Sequence, residues 1–187
     1  MKIKFKNQLN GKRLTLKRTR PSLKMAEVMF KVIDENRIHL EPWFPWPKQT
    51  QKIEDSLKYL FDKEEKTVQG KQLEYGLFVN LKYIGNISIF DIHRENKSAE
   101  IGYWLSSAQT RKGYMTEAVK ILEKEAFENL DLNRVQIKCD EENVASCGVA
   151  TKCGFTYEGT FREDDYSEYF NDFRNTSVFS KLKSEYQ

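Results

Sequence analysis

Hydrophobic and polar residues alternate with a period of two in several short stretches of this chain. Such alternation puts every second side chain on one face and is typical of strands that bury a single face. Arg13–Arg18 and Arg134–Cys139 show this pattern clearly. The predicted strands are 13–18, 73–79, 83–90, 99–105, 134–139, 155–161 and 175–182, and the three between 73 and 105 are expected to form a meander.

Four other stretches carry apolar residues at the helical spacing of three and four. The first opens at Pro21-Ser22, and the others are predicted at 51–68, 115–129 and 143–153, the last of them capped by Gly154. The predicted inward-facing residues of the first two helices are Leu23, Ala26, Phe30, Ile33, Ile53, Leu57, Leu60 and Phe61. Three prolines within residues 40–47 predict a stiff, irregular loop between these two helices.

The order of the elements, β-α-α-β-β-β-α-β-α-β-β, predicts a mixed α/β fold. No repeat, long linker or low-complexity segment interrupts the chain, so one domain over residues 1–187 is expected. The strand–helix–strand unit around 99–139 should cross over right-handed. Its two strands are therefore predicted to be parallel neighbours, or a pair splayed apart at one end.

A short basic turn, Arg111-Lys112-Gly113-Tyr114-Met115-Thr116, separates the strand that ends at Leu105 from the next helix. The first N–H groups of a helix have no internal partner and lie at the positive end of its dipole, so they suit a phosphate. The two basic side chains add charge, and the glycine lets the backbone approach a ligand closely. An ordinary turn with two solvated basic residues is the alternative.

Composition limits the class of protein. A hydrophobic fraction of 39% suffices for a core, while no apolar run is long enough to cross a membrane. Met1–Lys6 alternates charged and apolar residues, unlike a signal peptide, so a cytoplasmic protein is expected. Cys139, Cys147 and Cys153 make an odd count without C-x-x-C spacing, and the two histidines are far apart, so we expect reduced cysteines and no metal site.

The net charge of +3 is unevenly distributed along the chain. Residues 1–20 hold eight basic residues and no acid, which suits either an anionic partner or a solvated strand face. No RNA-binding motif accompanies them, so direct nucleic-acid binding is not expected. Residues 163–172 hold five acids and no base, which suits either a cationic substrate or a soluble loop.

Five segments, taken together in order and spacing, resemble one family. They are Asn36–Trp46, Glu100–Leu105, Lys112–Ala118, Asn143–Ser146 and Ala150–Gly159. The chain resembles the GNAT superfamily of acetyl-coenzyme A dependent N-acetyltransferases, and within it the RimJ/RimL type that acetylates ribosomal proteins. The resemblance implies a mixed central sheet flanked by helices, in which two parallel strands, here 99–105 and 134–139, splay apart around acetyl-CoA. Homodimers are common in that family.

The resemblance also implies where acetyl-CoA is bound. Its pyrophosphate would rest on Arg111, Lys112, Gly113, Tyr114, Met115 and Thr116, and its pantetheine arm would run beside Trp104 and Leu105. Asn143 matches the residue that hydrogen-bonds the pantetheine arm, and Lys152 is expected near the adenosine phosphates. The turn departs from the family pattern at Thr110, Arg111 and Met115, but main-chain donors do not depend on the side chains, so we expect binding.

The catalytic roles are likewise implied by the resemblance. Ala150 stands where many of these enzymes have a tyrosine acid, and Ser146 matches the serine that serves the departing thiolate in the RimJ/RimL type. Asp165 matches a carboxylate base, with Glu163 as the fallback. His39, Trp43 and Trp46 are expected to line the acceptor pocket. Each role has a structural alternative. Ser146 could bond its own backbone, Asp165 could be one loop acid among five, and His39 could be a capping or core residue.

The predicted function is transfer of an acetyl group to a primary amine. An α-amino group has a pKa of about 7.7–8.0 and lysine one of about 10.4, so a modest base serves the former better. The resemblance therefore implies that the acceptor is the N-terminal α-amine of a protein, with a ribosomal protein as the first candidate. A polyamine, an antibiotic or another small amine is the alternative acceptor, and a non-catalytic acyl-CoA sensor is the alternative class.

Overall fold

An eight-stranded sheet forms the centre of the protein, whose computed structural model describes residues 6–186. In chain order the strands are β1 Gln8–Asn10, β2 Thr15–Arg18, β3 Leu73–Val79, β4 Lys82–His93, β5 Ser98–Leu105, β6 Arg134–Asp140, β7 Thr156–Ser167 and β8 Asp172–Leu182. The helices are α1 Leu23–Asp34, α2 Arg37–Leu40, α3 Trp46–Gln49, α4 Ile53–Val68, α5 Tyr114–Lys124 and α6 Val144–Lys152. A π-helical turn, Glu125–Asn129, extends α5.

The strands lie in the order β1-β2-β3-β4-β5-β6-β8-β7, and β5 and β6 form the parallel pair. Their register runs only from Ser98–Arg134 to Glu100–Gln136. Beyond that point β5 stays paired with β4 as far as Leu105, while β6 stays paired with β8 as far as Asp140. Each strand follows its own antiparallel neighbour, so a gap opens between them, and the predicted α/β fold with two splayed parallel strands is confirmed.

Alternate residues of β3 show how the helices cover the two faces of the sheet. Leu73, Tyr75 and Leu77 join a large hydrophobic cluster with α5 and α6. The intervening residues face α1 and α4, which pack against each other over a smaller cluster that includes Met29 and Leu60. Because successive side chains of a strand point to opposite faces, the helices lie in two layers around the sheet.

Two predicted inward-facing residues are exposed instead. Leu23 and Phe61 are 58% and 59% exposed, and Met29, at 2%, fills the core position in α1. Ala26, Ile33 and Leu60 are buried as predicted, so only the edge of each apolar stripe was misplaced. The loop prediction for residues 40–47 is also wrong in part, because two four-residue helices, α2 and α3, flank it. Pro47 lies in the first turn of α3, where a missing N–H costs nothing.

The acidic stretch at 163–172 is a loop only in part, at residues 168–171. It forms the tip of a hairpin, since β7 extends to Ser167 and β8 begins at Asp172, both longer than predicted. The short strand β1 was not predicted. Of the N-terminal stretch predicted not to be a signal peptide, residues 1–5 lie outside the described residues. Within residues 6–186 no helix is long and apolar enough to cross a membrane.

Candidate active site

The gap between β5 and β6 is the centre of the candidate site. From Ile101 to Leu105, β5 pairs with β4 but not with β6, so its other edge has no strand partner within the described residues. Backbone N–H and C=O groups on such an edge are available to an extended ligand. Trp104 and Leu105, predicted beside the pantetheine arm, are the last two residues of this open edge.

The basic turn forms one end of the gap. Gly113 has φ +78° and caps α5, and Arg111 has φ +59°. The first bond within the helix joins Glu117 N to the Gly113 carbonyl at 3.1 Å, so the N–H groups of residues 114–116 are not used inside the helix. The Met115 side chain is buried, at 6% exposure, so only its backbone remains for a ligand. Arg111 and Lys112 are exposed.

Arg13, which was not predicted as a site residue, braces this turn. Its Nη1 donates to the Lys112 carbonyl at 2.8 Å, and its backbone N and Nε donate to the Glu117 carboxylate at 2.9 and 2.8 Å. Its guanidinium carbon lies 5.2 Å from the centroid of the Tyr114 ring. Burial raises the pKa of Glu117, but the hydrogen bonds from Arg13 outweigh it and lower that pKa below its usual value.

A groove of about 870 Å³ runs along α5, from Gly113 at its beginning to Glu125 in the π-helical turn. Gly113 and Thr116 line it together with Lys152 of α6, which places these three predicted cofactor residues in one cavity. The other basic residues of its wall are Lys6, Lys12, Arg13, Lys120 and Lys124. Glu117 and Glu125 are the acids among the lining residues. The excess of positive charge next to free helix N–H groups suits the phosphates of coenzyme A.

Two hydroxyl groups meet at the open end of the gap. Ser146 Oγ donates to the Tyr103 hydroxyl at 3.1 Å, and the Tyr103 hydroxyl donates to the Ser146 carbonyl at 3.2 Å. Ser146 lies in the first turn of α6, which Asn143 caps: its Oδ1 accepts from Ser146 N at 3.1 Å. Burial raises the pKa of Tyr103 well above its usual value, so the phenol stays protonated at neutral pH. Sequence reasoning missed Tyr103, although it lies inside the motif 100–105.

Aromatic side chains surround the end of β5. The Trp104 ring lies 5.6 Å from Trp46 and 5.9 Å from Tyr83, centroid to centroid. Trp43 lies 6.3 Å from Phe170, at the tip of the β7–β8 hairpin. The segment from α2 to α3 therefore connects the end of β5 with the tip of the hairpin.

Hydrogen bonds hold this segment in place. Asn36 Oδ1 accepts from both the backbone N and the hydroxyl of Ser107, each at 2.8 Å. Arg37 donates to the carbonyls of Pro47 and Thr50 and forms an ion pair with Asp34 at 2.8 Å. His39 is half-buried in α2, and the described residues include no hydrogen-bond partner for its ring. Its predicted role stays a prediction.

The two candidate bases lie on β7. Asp165 is exposed and pairs in register with Arg174, whose guanidinium is held by Asp140 at 2.8 Å and Glu142 at 2.6 Å. Thr176 of β8 pairs with Asp140, the last residue of β6, and Arg174 lies two residues further along β8 in the same direction. Asp165, the partner of Arg174, therefore lies just beyond the end of the gap. Glu163, at φ +54°, occupies an irregular part of the strand. Within residues 6–186, no hydrogen bond connects either carboxylate to Ser146.

Comparison with known proteins decides the family. Residues 13–156 match the acetyltransferase (GNAT) domain family. This chain belongs to the GNAT acetyltransferases. Over 155 residues it is 31% identical to the ribosomal-protein-serine acetyltransferase of Escherichia coli, covering 82% of this chain and 85% of that one. It is also 30% identical over 166 residues to YdaF, a putative ribosomal N-acetyltransferase of Bacillus subtilis, covering 88% and 89% of the two chains.

Solved structures of GNAT proteins share the fold. The microcin C7 self-immunity acetyltransferase MccE, in complex with acetyl-CoA and AMP, superimposes with a TM-score of 0.85 at 29% identity, covering 91% of this chain and 93% of its own. RimL, a ribosomal L7/L12 α-N-protein acetyltransferase solved with coenzyme A bound to a cysteine as a disulfide, gives a TM-score of 0.85 at 24% identity, covering 91% of this chain and 94% of its own. The resemblance to RimJ/RimL-type enzymes is therefore confirmed.

The protein is thus an acetyl-CoA-dependent N-acetyltransferase of the GNAT type. The open edge of β5, the unused N–H groups of α5 and the basic groove together suit the extended arm and phosphates of its co-substrate. Within the described residues, no three His, Cys, Asp or Glu side chains are grouped to hold a metal ion. The roles of the individual site residues stay predictions.

Proposed function

We propose that this GNAT enzyme acetylates the N-terminal α-amine of a protein, with a ribosomal protein as the first candidate. The observation that carries the proposal is the 31% identity to the Escherichia coli ribosomal-protein-serine acetyltransferase along most of both chains. The site chemistry supports it. An α-amine is already about a tenth neutral or more at pH 7, so an exposed carboxylate such as Asp165, acting directly or through water, is a sufficient base.

Each group of the site has one task in the proposed reaction. Residues 111–116 and Lys152 hold the phosphates, and the open edge of β5 orients the pantetheine arm. A main-chain N–H near Leu105 stabilises the oxyanion that develops when the amine attacks the thioester carbonyl. Asp165, or Glu163, accepts the proton of the amine. Ser146, oriented by Tyr103, donates a hydrogen bond to the sulfur as the carbon–sulfur bond breaks.

A peptide panel tests the proposal. Basic and neutral peptides are prepared in pairs, one with a free α-amine and its lysines acetylated, the other with a blocked N-terminus and free lysines. Each is incubated with enzyme and acetyl-CoA, and the acetylated position is read by tandem mass spectrometry. We expect acetyl groups on α-amines, with release of one thiol per acetyl group. Transfer only to lysine side chains would contradict the proposal.

A small-molecule amine is the second candidate acceptor. The structure of MccE, a self-immunity enzyme, holds AMP together with acetyl-CoA at 29% identity to this chain. Nucleotides that carry a primary amine, and polyamines, therefore belong in the same panel. A kcat/KM for one of them that exceeds every peptide would favour this candidate. Binding of coenzyme A without thiol release for any amine would instead indicate an acyl-CoA sensor.

A further inference from the structure

Two cysteine side chains lie in contact beside the candidate site. Cys139 Sγ, near the end of β6, is 3.4 Å from Cys147 Sγ, the fourth residue of α6. Both side chains are half-buried, and both are free thiols. The third cysteine, Cys153, is buried at the other end of α6, where its Sγ lies 3.5 Å from the Thr116 carbonyl. The chain therefore contains one close pair and one separate cysteine.

The pair lies next to the hydroxyl groups assigned to the leaving sulfur. Cys147 directly follows Ser146, whose hydroxyl donates to Tyr103. Cys139 lies on the strand that forms one side of the gap in which the thiol of coenzyme A is released. A disulfide that carries a coenzyme A moiety has the same phosphates and pantetheine arm as acetyl-CoA, so the same contacts would direct its sulfur into the gap between β5 and β6.

We propose that Cys139 and Cys147 form a reversible disulfide by exchange with coenzyme A disulfide, and that this oxidation switches off acetyl transfer. The inference rests on the binding of coenzyme A that the family requires, not on the identity of the acceptor. It also does not require Asp165 or Glu163 to act as the base.

The exchange balances in two steps. The Cys147 thiolate attacks one sulfur of coenzyme A disulfide, which forms a mixed disulfide and expels one coenzyme A thiol. Cys139 then loses its proton and attacks the Cys147 sulfur, which forms the Cys139–Cys147 bond and expels the second coenzyme A thiol. Two protein thiols are oxidised, one small disulfide is reduced to two thiols, and no other oxidant is needed.

The positions of the two cysteines assign this order. Cys147 directly follows Ser146 in the first turn of α6, so it is the first of the two cysteines to meet the sulfur of a coenzyme A moiety. Burial, followed by the contact with Cys147, raises the pKa of Cys139 to about 12, so Cys139 is the poorer first nucleophile. As the second nucleophile it needs only to reach a sulfur that is already beside it, which favours an intramolecular step.

Bond formation changes the geometry at Ser146. The two sulfurs move from 3.4 Å apart to the S–S length of about 2.05 Å, which draws the first turn of α6 toward β6. Because Ser146 precedes Cys147 in that turn, its hydroxyl is displaced from Tyr103. The closed loop spans only residues 139–147, so the bond restricts the unfolded chain little and should be easily reduced.

Coenzyme A disulfide itself is the probe. The native enzyme is incubated with it, free thiols are counted, and non-reducing peptide mapping identifies the linked cysteines. We expect loss of two thiols, a crosslinked peptide pair that contains Cys139 and Cys147, and a turnover at least tenfold lower. Reduction should restore both the thiols and the turnover. Cys153→Ala should behave like the wild type, whereas Cys147→Ala should form no crosslink and lose no further activity beyond its own reduced rate.

Three results would overturn the inference: three thiols that persist at saturating coenzyme A disulfide, a crosslink that involves Cys153, or a Cys139–Cys147 crosslink with unchanged turnover. If Cys147→Ala does not fold, Cys139→Ala and the wild-type peptide map decide the same question. The thiol count and the map need no acceptor, so a failure here is distinguishable from a failure of the proposed α-amine specificity.

Discussion

At the scale of single residues, the hydroxyl of Ser146 is the group that the proposed reaction uses most directly. It donates to Tyr103 at 3.1 Å and lies at the open end of the β5–β6 gap. We expect Ser146→Ala to lower kcat by about 10²-fold, the lower end for a positioned proton donor. The KM for acetyl-CoA should change little, because the lost interaction forms only as the sulfur departs. Steady-state kinetics with a reactive peptide measure both.

Thr151→Ala is the matched control, since it also removes a hydroxyl from α6. The Thr151 hydroxyl donates only to the Cys147 carbonyl, at 3.0 Å. The substitution should leave kcat unchanged. Tyr103→Phe should cost less than Ser146→Ala, and the double variant should be no slower than Ser146→Ala alone, because the two hydroxyls act as a unit. Additive losses in the double variant would show that Tyr103 does not orient Ser146.

Asp165 is tested at the same scale. Asp165→Asn keeps the size of the side chain but removes its ability to accept a proton, so kcat/KM for an α-amine peptide should fall by about 10²-fold. The affinity for acetyl-CoA should be retained. Asp164→Asn, one residue away on the same exposed strand, controls for the loss of one charge. If Asp165→Asn and wild type turn over equally, Asp165 is not the base. Glu163 would then be the candidate, and Glu163→Gln should lose activity.

At the scale of elements, the turn before α5 depends on a side chain from the beginning of the chain. Arg13 holds the Lys112 carbonyl and Glu117, and its guanidinium covers Tyr114. Without it the turn loses its fixed conformation, so its N–H groups are less well oriented toward a diphosphate. We expect Arg13→Ala to weaken acetyl-CoA binding about tenfold, which is about 1.4 kcal/mol, with a smaller effect on kcat. Isothermal titration measures the affinity.

Arg20→Ala is the control for this effect. Arg20 also lies near β2 and is exposed, but its guanidinium donates to Asn7 at 2.9 Å and not to the turn. Its removal lowers the net charge equally and should leave the affinity for acetyl-CoA near that of wild type. If both variants weaken binding to the same extent, the contribution of Arg13 is general electrostatic attraction and not support of the turn.

The sequence predicts features whose residues are contiguous and misses those whose partners are far apart along the chain. The turn at residues 111–116 was predicted because a glycine, its basic neighbours and the following helix are contiguous. Arg13 and Tyr103 were missed because their partners, Glu117 and Ser146, lie 104 and 43 residues away along the chain. The hairpin was predicted too short because its exposed, acidic tip has no buried face from which the pattern of a strand is recognised.

At the scale of the whole molecule, a buried carboxyl group connects the two layers of the fold. Glu74 of β3 is 4% exposed and accepts hydrogen bonds from Tyr59 of α4 at 2.7 Å, from Gln72 at 2.9 Å and from Asn86 of β4. Tyr83 donates to Asn86 Oδ1 at 2.6 Å. This network fixes α4 to the sheet beneath the aromatic residues that surround Trp104, so its stability affects the acceptor end of the site.

The charge state of Glu74 makes this connection depend on pH. Burial raises the pKa of Glu74, although Lys63 and the three donors oppose the shift. A carboxyl whose folded pKa is raised contributes stability that is fully present below its unfolded pKa of about 4.3 and is lost as pH rises through the folded pKa. The ionised, buried form is therefore the less stable one, and the loss is complete once the folded pKa has been passed.

Glu74→Gln tests this directly, because the amide is neutral at every pH and similar in size. The variant should be less stable than wild type at pH 4.5, by about 1–2 kcal/mol, since an amide cannot accept from three donors as a carboxyl does. As the pH rises to 8, the difference in the free energy of unfolding should narrow, because only the wild type then holds an ionised carboxylate in a buried position. Urea unfolding at both pH values measures it, with Glu27→Gln, an exposed carboxylate of α1, as the control for one lost charge. A difference that widens toward pH 8 would mean that the hydrogen bonds to Glu74 favour its charged form more than burial opposes it.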